Sequence, residues 1–287
     1  MSRFLGSVSI VFRRELLTVQ RTPGYPALAA GLLLVLGGLV TVGGGGGTGF
    51  VPAVVDLLLP TEVLVPLLGV VLGYRALLTD ATSGELTVIR TYPVSTVGYV
   101  VGVLFARLVA LLAVVGIPFA LVGVYVWVTA APDTGIFATH SGVDSPLLFV
   151  RFIAFVLLFG AAYLSLAAAV STVASSRRSA IALGLLVLLG GVLGGDLAIL
   201  RSLAGGASAT GIAETLALTP NGAFRGLVFE HVVGVAFASD GEFVHTGRAV
   251  GSLVGWTLAG TAVAVVTLAY RGRLDVVNER IRRRGGY

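Results

Sequence analysis

The chain has 287 residues, of which 56% are apolar and only 11% carry a formal charge, less than half of the roughly 25% found in soluble domains. Mean hydropathy is +0.99, and the apolar residues fall in blocks of about twenty, the length that crosses a roughly 30 Å hydrocarbon core. The net charge of +5 comes from 19 basic residues that are all arginine; without lysine there is no phosphate-binding P-loop, so any nucleotide chemistry belongs to a partner.

Residues 1–22 read as an amphipathic helix on the membrane surface. Phe4, Leu5, Val8, Val11, Phe12, Leu16 and Val19 share one side of the wheel, and Arg3, Ser7, Arg14, Thr18 and Arg21 line the other. An ordinary soluble helix is the weaker alternative, because a span follows almost at once. Arg13-Arg14 also fits a twin-arginine export signal poorly, because Thr22-Pro23-Gly24-Tyr25-Pro26 intervenes before any apolar run.

Six spans follow, over residues 26–42, 57–79, 98–130, 146–174, 179–200 and 250–270, giving an all-α membrane protein with six transmembrane helices and an amino-terminal interfacial helix. The third block, Gly98 to Ala130, is 33 residues long, so it tilts or projects into water. Between the spans lie a segment over 80–96, a long connection over 201–249 and a basic tail over 271–287, whose six arginines and interspersed apolar residues read as a membrane-surface anchor. Fifteen of the 19 arginines fall on one side of this layout, and only Arg151, Arg201, Arg225 and Arg248 on the other. Arginine-rich loops stay cytoplasmic, so both termini are expected in the cytoplasm and the 201–249 loop outside the cell membrane. Glycines such as Gly184, Gly190, Gly191, Gly194, Gly195, Gly251, Gly255 and Gly260 are expected to form packing seams, within the chain or across a dimer.

The segment between the second and third spans carries most of the functional signal. A span ends at Asp80; Ser83, Gly84 and Glu85 make a turn; Leu86, Val88 and Ile89 form an apolar surface followed by Arg90; and Tyr92-Pro93-Val94-Ser95 closes the element. An apolar patch on a solvent loop is a docking surface. The order of Asp80, Gly84, the Leu86–Ile89 run and Pro93-Val94-Ser95 resembles the ABC-2 type permease family, as does Arg13-Arg14-Glu15-Leu16 with Arg21 at the amino terminus. Tyr74 and Tyr92-Pro93-Val94 resemble in particular the permeases of the nitrous-oxide-reductase copper-maturation operon. The resemblance extends over nearly the whole chain. It implies a permease subunit of an ATP-driven transporter, working as an exporter, not an enzyme by itself and without a cofactor of its own. A separate ATP-binding subunit would hold ATP and Mg and contact Asp80, Ser83, Gly84, Glu85, Leu86, Arg90, Tyr92, Pro93 and Ser95, with a smaller contact at Arg177 and Arg178. A second permease chain would complete a homodimer, an external partner is a further expectation, and nucleic acid is not expected because the arginines sit at block ends without interleaved aromatics. The resemblance also implies short re-entrant helices near Leu203 to Ala217.

Glu62, Arg75, Arg107 and Asp196 fall near the predicted span ends, where snorkelling to the headgroups is the default reading; if any lines a transport path, Glu62 and Asp196 suit cationic or polar cargo. His231 and His245 share their loop with Glu230, Asp240 and Glu242, a set able to hold zinc or copper(II), but without compact ligand spacing they read as solvated polar residues and no metal site is expected. With no cysteine and Met1 as the only methionine, the chain is poorly equipped to ligate copper(I) itself. An intramembrane enzyme lacks a nucleophile–base pair at membrane depth. A secondary transporter without an ATPase is the alternative, though no internal symmetry supports it.

Overall fold

The computed structural model describes residues 2–82, 94–130, 144–206, 209–237 and 243–284, and among them every regular element is helical. Helix α1 is Ser2–Arg21, α2 Gly24–Gly43 and α3 Phe50–Gly73, followed by a short α4, Leu78–Thr82. Helix α5, Thr96–Leu111, passes through a π turn at Leu112–Gly116 into α6, Ile117–Thr129. Then come α7, Pro146–Val173; α8, Arg177–Ala204; α9, Ala209–Leu218; α10, Pro220–Val228; a second π turn, Phe229–Val233; α11, Gly234–Phe237; and α12, Thr246–Arg284. Six stretches are long and apolar enough to cross a bilayer: Gly24–Gly43, Phe50–Asp80, Thr96–Thr129, Pro146–Val173, Arg177–Ala204 and Thr246–Arg271.

The second span begins at Phe50, seven residues before the expected start, which moves Glu62 from a helix end to a helix interior. The long third span is a single rod interrupted by its π turn. Pro118, just after that turn, has no N–H to return to the preceding turn, so the helix widens there.

Helix α7 is the central post, packed against α3 and α12. Small residues set those distances. A Cβ on Gly73 would lie 2.7 Å from the Leu164 carbonyl oxygen, and one on Gly260 would lie 2.6 Å from the backbone of Ser165. Of the expected seam glycines, Gly184, Gly191, Gly195 and Gly260 meet neighbours in this way, whereas Gly190, Gly194, Gly251 and Gly255 have open space beside them. Buried aromatics fill the rest of the centre, with Phe159 stacked on Phe224 of α10 at 4.5 Å between ring centroids.

Helix α1 packs along α5, with Val11 seated over Gly102. Its buried line is Ser7, Val11, Glu15 and Val19, four residues apart along the border of the expected apolar face, while Leu5 on that face remains exposed. A carboxylate on the buried line is stable only with partners, which are described below. At the far end of the bundle, Asp144 accepts from the first N–H groups of α3, Phe50 and Val51, at 2.9–3.0 Å. Gly49, with φ of 149°, lets that carboxylate approach closer than any side chain would permit.

Because the α3–α7 contact is backbone to backbone, Gly73→Val should destabilise the chain by about 2 kcal/mol through overpacking, while Gly251→Ala should be neutral. Thermal unfolding of the detergent-solubilised protein measures both; equal effects would contradict the seam.

Candidate functional site

Two polar clusters stand out, one at the arginine-rich end of the bundle and one inside it. The first begins where α3 leaves its apolar stretch. Asp80 is buried; its Oδ2 accepts from the Tyr99 hydroxyl of α5 at 2.6 Å and pairs with the Arg14 guanidinium of α1. Arg14 also donates to Glu15 at 2.8 Å, and the other oxygen of Glu15 takes Arg107 of α5 at 3.2 Å. Arg107 donates in turn to the hydroxyl of Tyr25 at the start of α2. Burial opposes the charge on Arg14, but hydrogen bonds to Glu15 and Asp80 outweigh it and push its pKa up, so the Arg14 guanidinium stays charged. Four helices are thereby tied at one level by two carboxylates, two guanidiniums and two phenols.

The second cluster grows from a proline. Pro66 has no N–H to give to the carbonyl of Glu62 four residues earlier, so that oxygen is left free inside the bundle. Asn221 of α10 donates to it at 3.1 Å, and the Tyr163 hydroxyl of α7 donates to the Asn221 Oδ1. One turn further along α10, Arg225 forks onto the Glu62 carboxylate, with Nε at 2.7 Å from Oε1 and the terminal nitrogen on Oε2. Its remaining terminal nitrogen reaches Asp196 of α8 at 2.8 Å. Thr219, capping α10 through the Gly222 N–H at 3.1 Å, and Pro220 at its first turn fix where that helix begins. The phase of Asn221 and Arg225 against α3 follows from that start.

Glu62 is thus neither at a span end nor snorkelling; it lies well inside its helix and is held by partners, because a buried charge at such depth is costly alone, whereas Arg107 sits level with Tyr25 at the start of α2. The resemblance places short re-entrant helices near Leu203 to Ala217 in the fifth connection. A short helix does lie there, Ala209–Leu218 with Ala217 buried, and a second one, Pro220–Val228, follows it and carries the inward partners Asn221, Phe224 and Arg225.

Of the expected subunit contacts, Asp80 faces inward, Ser95 caps α5 by accepting from the Gly98 N–H at 3.1 Å, and Arg177 and Arg178 are exposed at the start of α8. Cations at a helix amino terminus oppose its dipole, so that arginine pair does not serve the helix it sits on. Ser83, Gly84, Glu85, Leu86, Arg90, Tyr92 and Pro93 lie outside the described residues. Arg271, by contrast, closes the end of α7, donating to the Val173 carbonyl at 2.7 Å. In the long connection, His231 bonds Thr246 at 2.8 Å and Glu230 accepts from the Phe243 N–H at 2.7 Å. No group of three potential metal ligands occurs among the described residues.

The sequence reading did not single out Tyr99, Asn221 or Tyr163, nor the pairing of Arg14, Glu15 and Arg225. One signal was present: a proline four residues after an in-span glutamate announces an unpaired carbonyl that something must satisfy.

A multi-pass helical bundle with an amphipathic helix clamped to its rim is the architecture of a transport protein's membrane domain. The chain matches the ABC-2 family transporter protein model over residues 9–272 and belongs to that family. A comparison with curated proteins returns no match. Membership implies a permease that works with an ATP-binding subunit.

Arg225→Gln should leave the Glu62 carboxylate buried without its fork and cost about 3 kcal/mol. Adding Glu62→Gln in the same chain should recover part of that loss, as coupled pairs do. Melting temperatures of the two single variants and the double variant give the coupling; strictly additive shifts would deny the pair.

Proposed function

We propose that the chain is the membrane-spanning subunit of an ATP-driven exporter, acting as a homodimer with a separate ATP-binding subunit docked on residues 80–96. The observation that carries this reading is the Asp80 cluster. The docking segment follows directly from a carboxylate that is clamped to α1 by Arg14 and to α5 by Tyr99, so a push on the segment moves three helices together. In this reading Asp80 positions the segment rather than touching the partner. The exposed pair Arg177 and Arg178, placed against its own helix dipole, is the second contact. The arginine-rich end faces the cytoplasm of the cell, with both termini there.

Helix α3 carries the motion inward. Asp80 and Glu62 are 18 residues apart on the same span, with α4 joined to α3 by the turn at residues 74–77, so the clamp at one end and the Glu62–Arg225–Asp196 cluster in the bundle are linked through one continuous segment. Asp196 has a side chain 48% exposed on an otherwise apolar helix, and such a carboxylate does not face hydrocarbon. It is assigned to a polar path lined also by Glu62 and closed by the second chain. Cargo that is cationic or polar suits the two carboxylates. ATP and Mg are held by the partner, and the chain hydrolyses nothing itself. A role like that of the nitrous-oxide-reductase maturation permeases is part of this proposal, on the resemblance at Tyr74 and Tyr92-Pro93-Val94. The chain has no cysteine and only Met1, so in that role it moves another species or transmits motion to an external partner rather than ligating copper(I).

Co-expression of the chain with its companion ATP-binding subunit should give a complex that survives purification and hydrolyses ATP, while the chain alone does not. Glu85→Ala or Pro93→Ala should weaken the complex at least tenfold in a pull-down titration. A complex of unchanged strength after deletion of residues 80–96 would overturn the docking assignment.

A further inference from the structure

Beside the Asp80 cluster, a cavity of about 370 Å³ opens between α1, α2, the end of α3 and α5. Its lining changes character along the bundle axis. Leu28 and Val71 wall the part level with the apolar spans, Tyr25 and Tyr74 stand at the boundary, and Arg75 and Thr79 lie beyond it. The two acids in the wall are already engaged, Glu15 by Arg14 and Arg107, and Asp80 by Arg14 and Tyr99. The cations are not fully used. Arg75 is exposed and has no carboxylate within ion-pair distance among the described residues. Arg107 keeps its Nε buried without a hydrogen-bond partner among the described residues. Among the residues that line the cavity, Arg75 is thus the guanidinium that no described carboxylate meets, and it stands at the level of the lipid headgroups.

A ligand for this space carries an anionic group at the boundary and an apolar tail that runs alongside the spans. We infer that the cavity binds one phospholipid, its headgroup phosphate between Arg75 and Arg107 and an acyl chain along Leu28 and Val71. Basic pockets between helices at a membrane face take lipid phosphates by this chemistry, and the exposed Arg75 guanidinium supplies the charged donor. A soluble phosphate ester would satisfy the arginines but leave the apolar end empty, which is why the lipid is chosen. This assignment does not depend on how the ATP-binding subunit docks.

The test uses the full chain, reconstituted in vesicles of phosphatidylethanolamine and phosphatidylglycerol, extracted in mild detergent and weighed by native mass spectrometry. One phospholipid per chain should be retained. Arg75→Gln should lower its occupancy about tenfold, the loss of one charged contact. Val71→Trp, which fills the apolar end and alters no charge, should lower it as well; both positions are exposed, so both variants should keep the wild-type melting temperature. Retention unchanged in both variants, displacement of the lipid by millimolar inorganic phosphate, or no retained lipid in the wild type would each overturn the proposal.

Discussion

Arg14 and Asp80 are 66 residues apart in the chain, and their contact is what makes α1 part of the bundle rather than an appendage on its surface. Each is partly withdrawn from water, and neither is stable there alone, so the pair fixes α1, the end of α3 and, through Tyr99, α5 in one arrangement. Glu15 and Arg107 repeat the logic one step deeper and add α2. The outcome is a rigid junction at the point where the chain enters the segment over 80–96.

The same constraint, that hydrocarbon offers no hydrogen-bond partner, explains the cluster inside the bundle. Pro66 breaks the backbone ladder of α3, and the freed carbonyl has to be met from another helix. Asn221 meets it, which brings α10 into the bundle, and the spacing of four residues puts Arg225 onto the Glu62 side chain. Stacking of Phe224 on Phe159 between them anchors the same helix to α7. A single proline therefore accounts for why the fifth connection folds inward at Pro220–Val228. The span Phe50–Asp80, α3 with the short α4 at its end, carries a member of both clusters, and displacement at Asp80 has a route to Asp196 through it.

The fold was legible in the sequence because it rests on apolar block length and on small residues at close contacts, and both are local. The amphipathic character of α1 and the six spans could be read from runs of a few residues. The ends were harder: α3 starts at Phe50 because Asp144, far along the chain, caps it. The partners of the charges were not legible for the same reason. Nothing near Glu62 in sequence distinguishes a snorkelling carboxylate from one forked by Arg225, 163 residues away, and the burial of Glu15 on α1 is accounted for only by its distant partner Arg107. Long-range ion pairs leave a mark in sequence only as residues that break a local pattern, as Glu15 and Pro66 both do.

The central claim is that motion enters through the Asp80 clamp. The chain has no cysteine, so Ile10→Cys on α1 and Leu186→Cys on α8, both exposed, place two spin labels without background. In the assembled transporter, the distance between them should change by several ångströms when ATP is trapped, and Asp80→Asn should abolish that change while the complex stays assembled. The same change in both proteins would contradict the account.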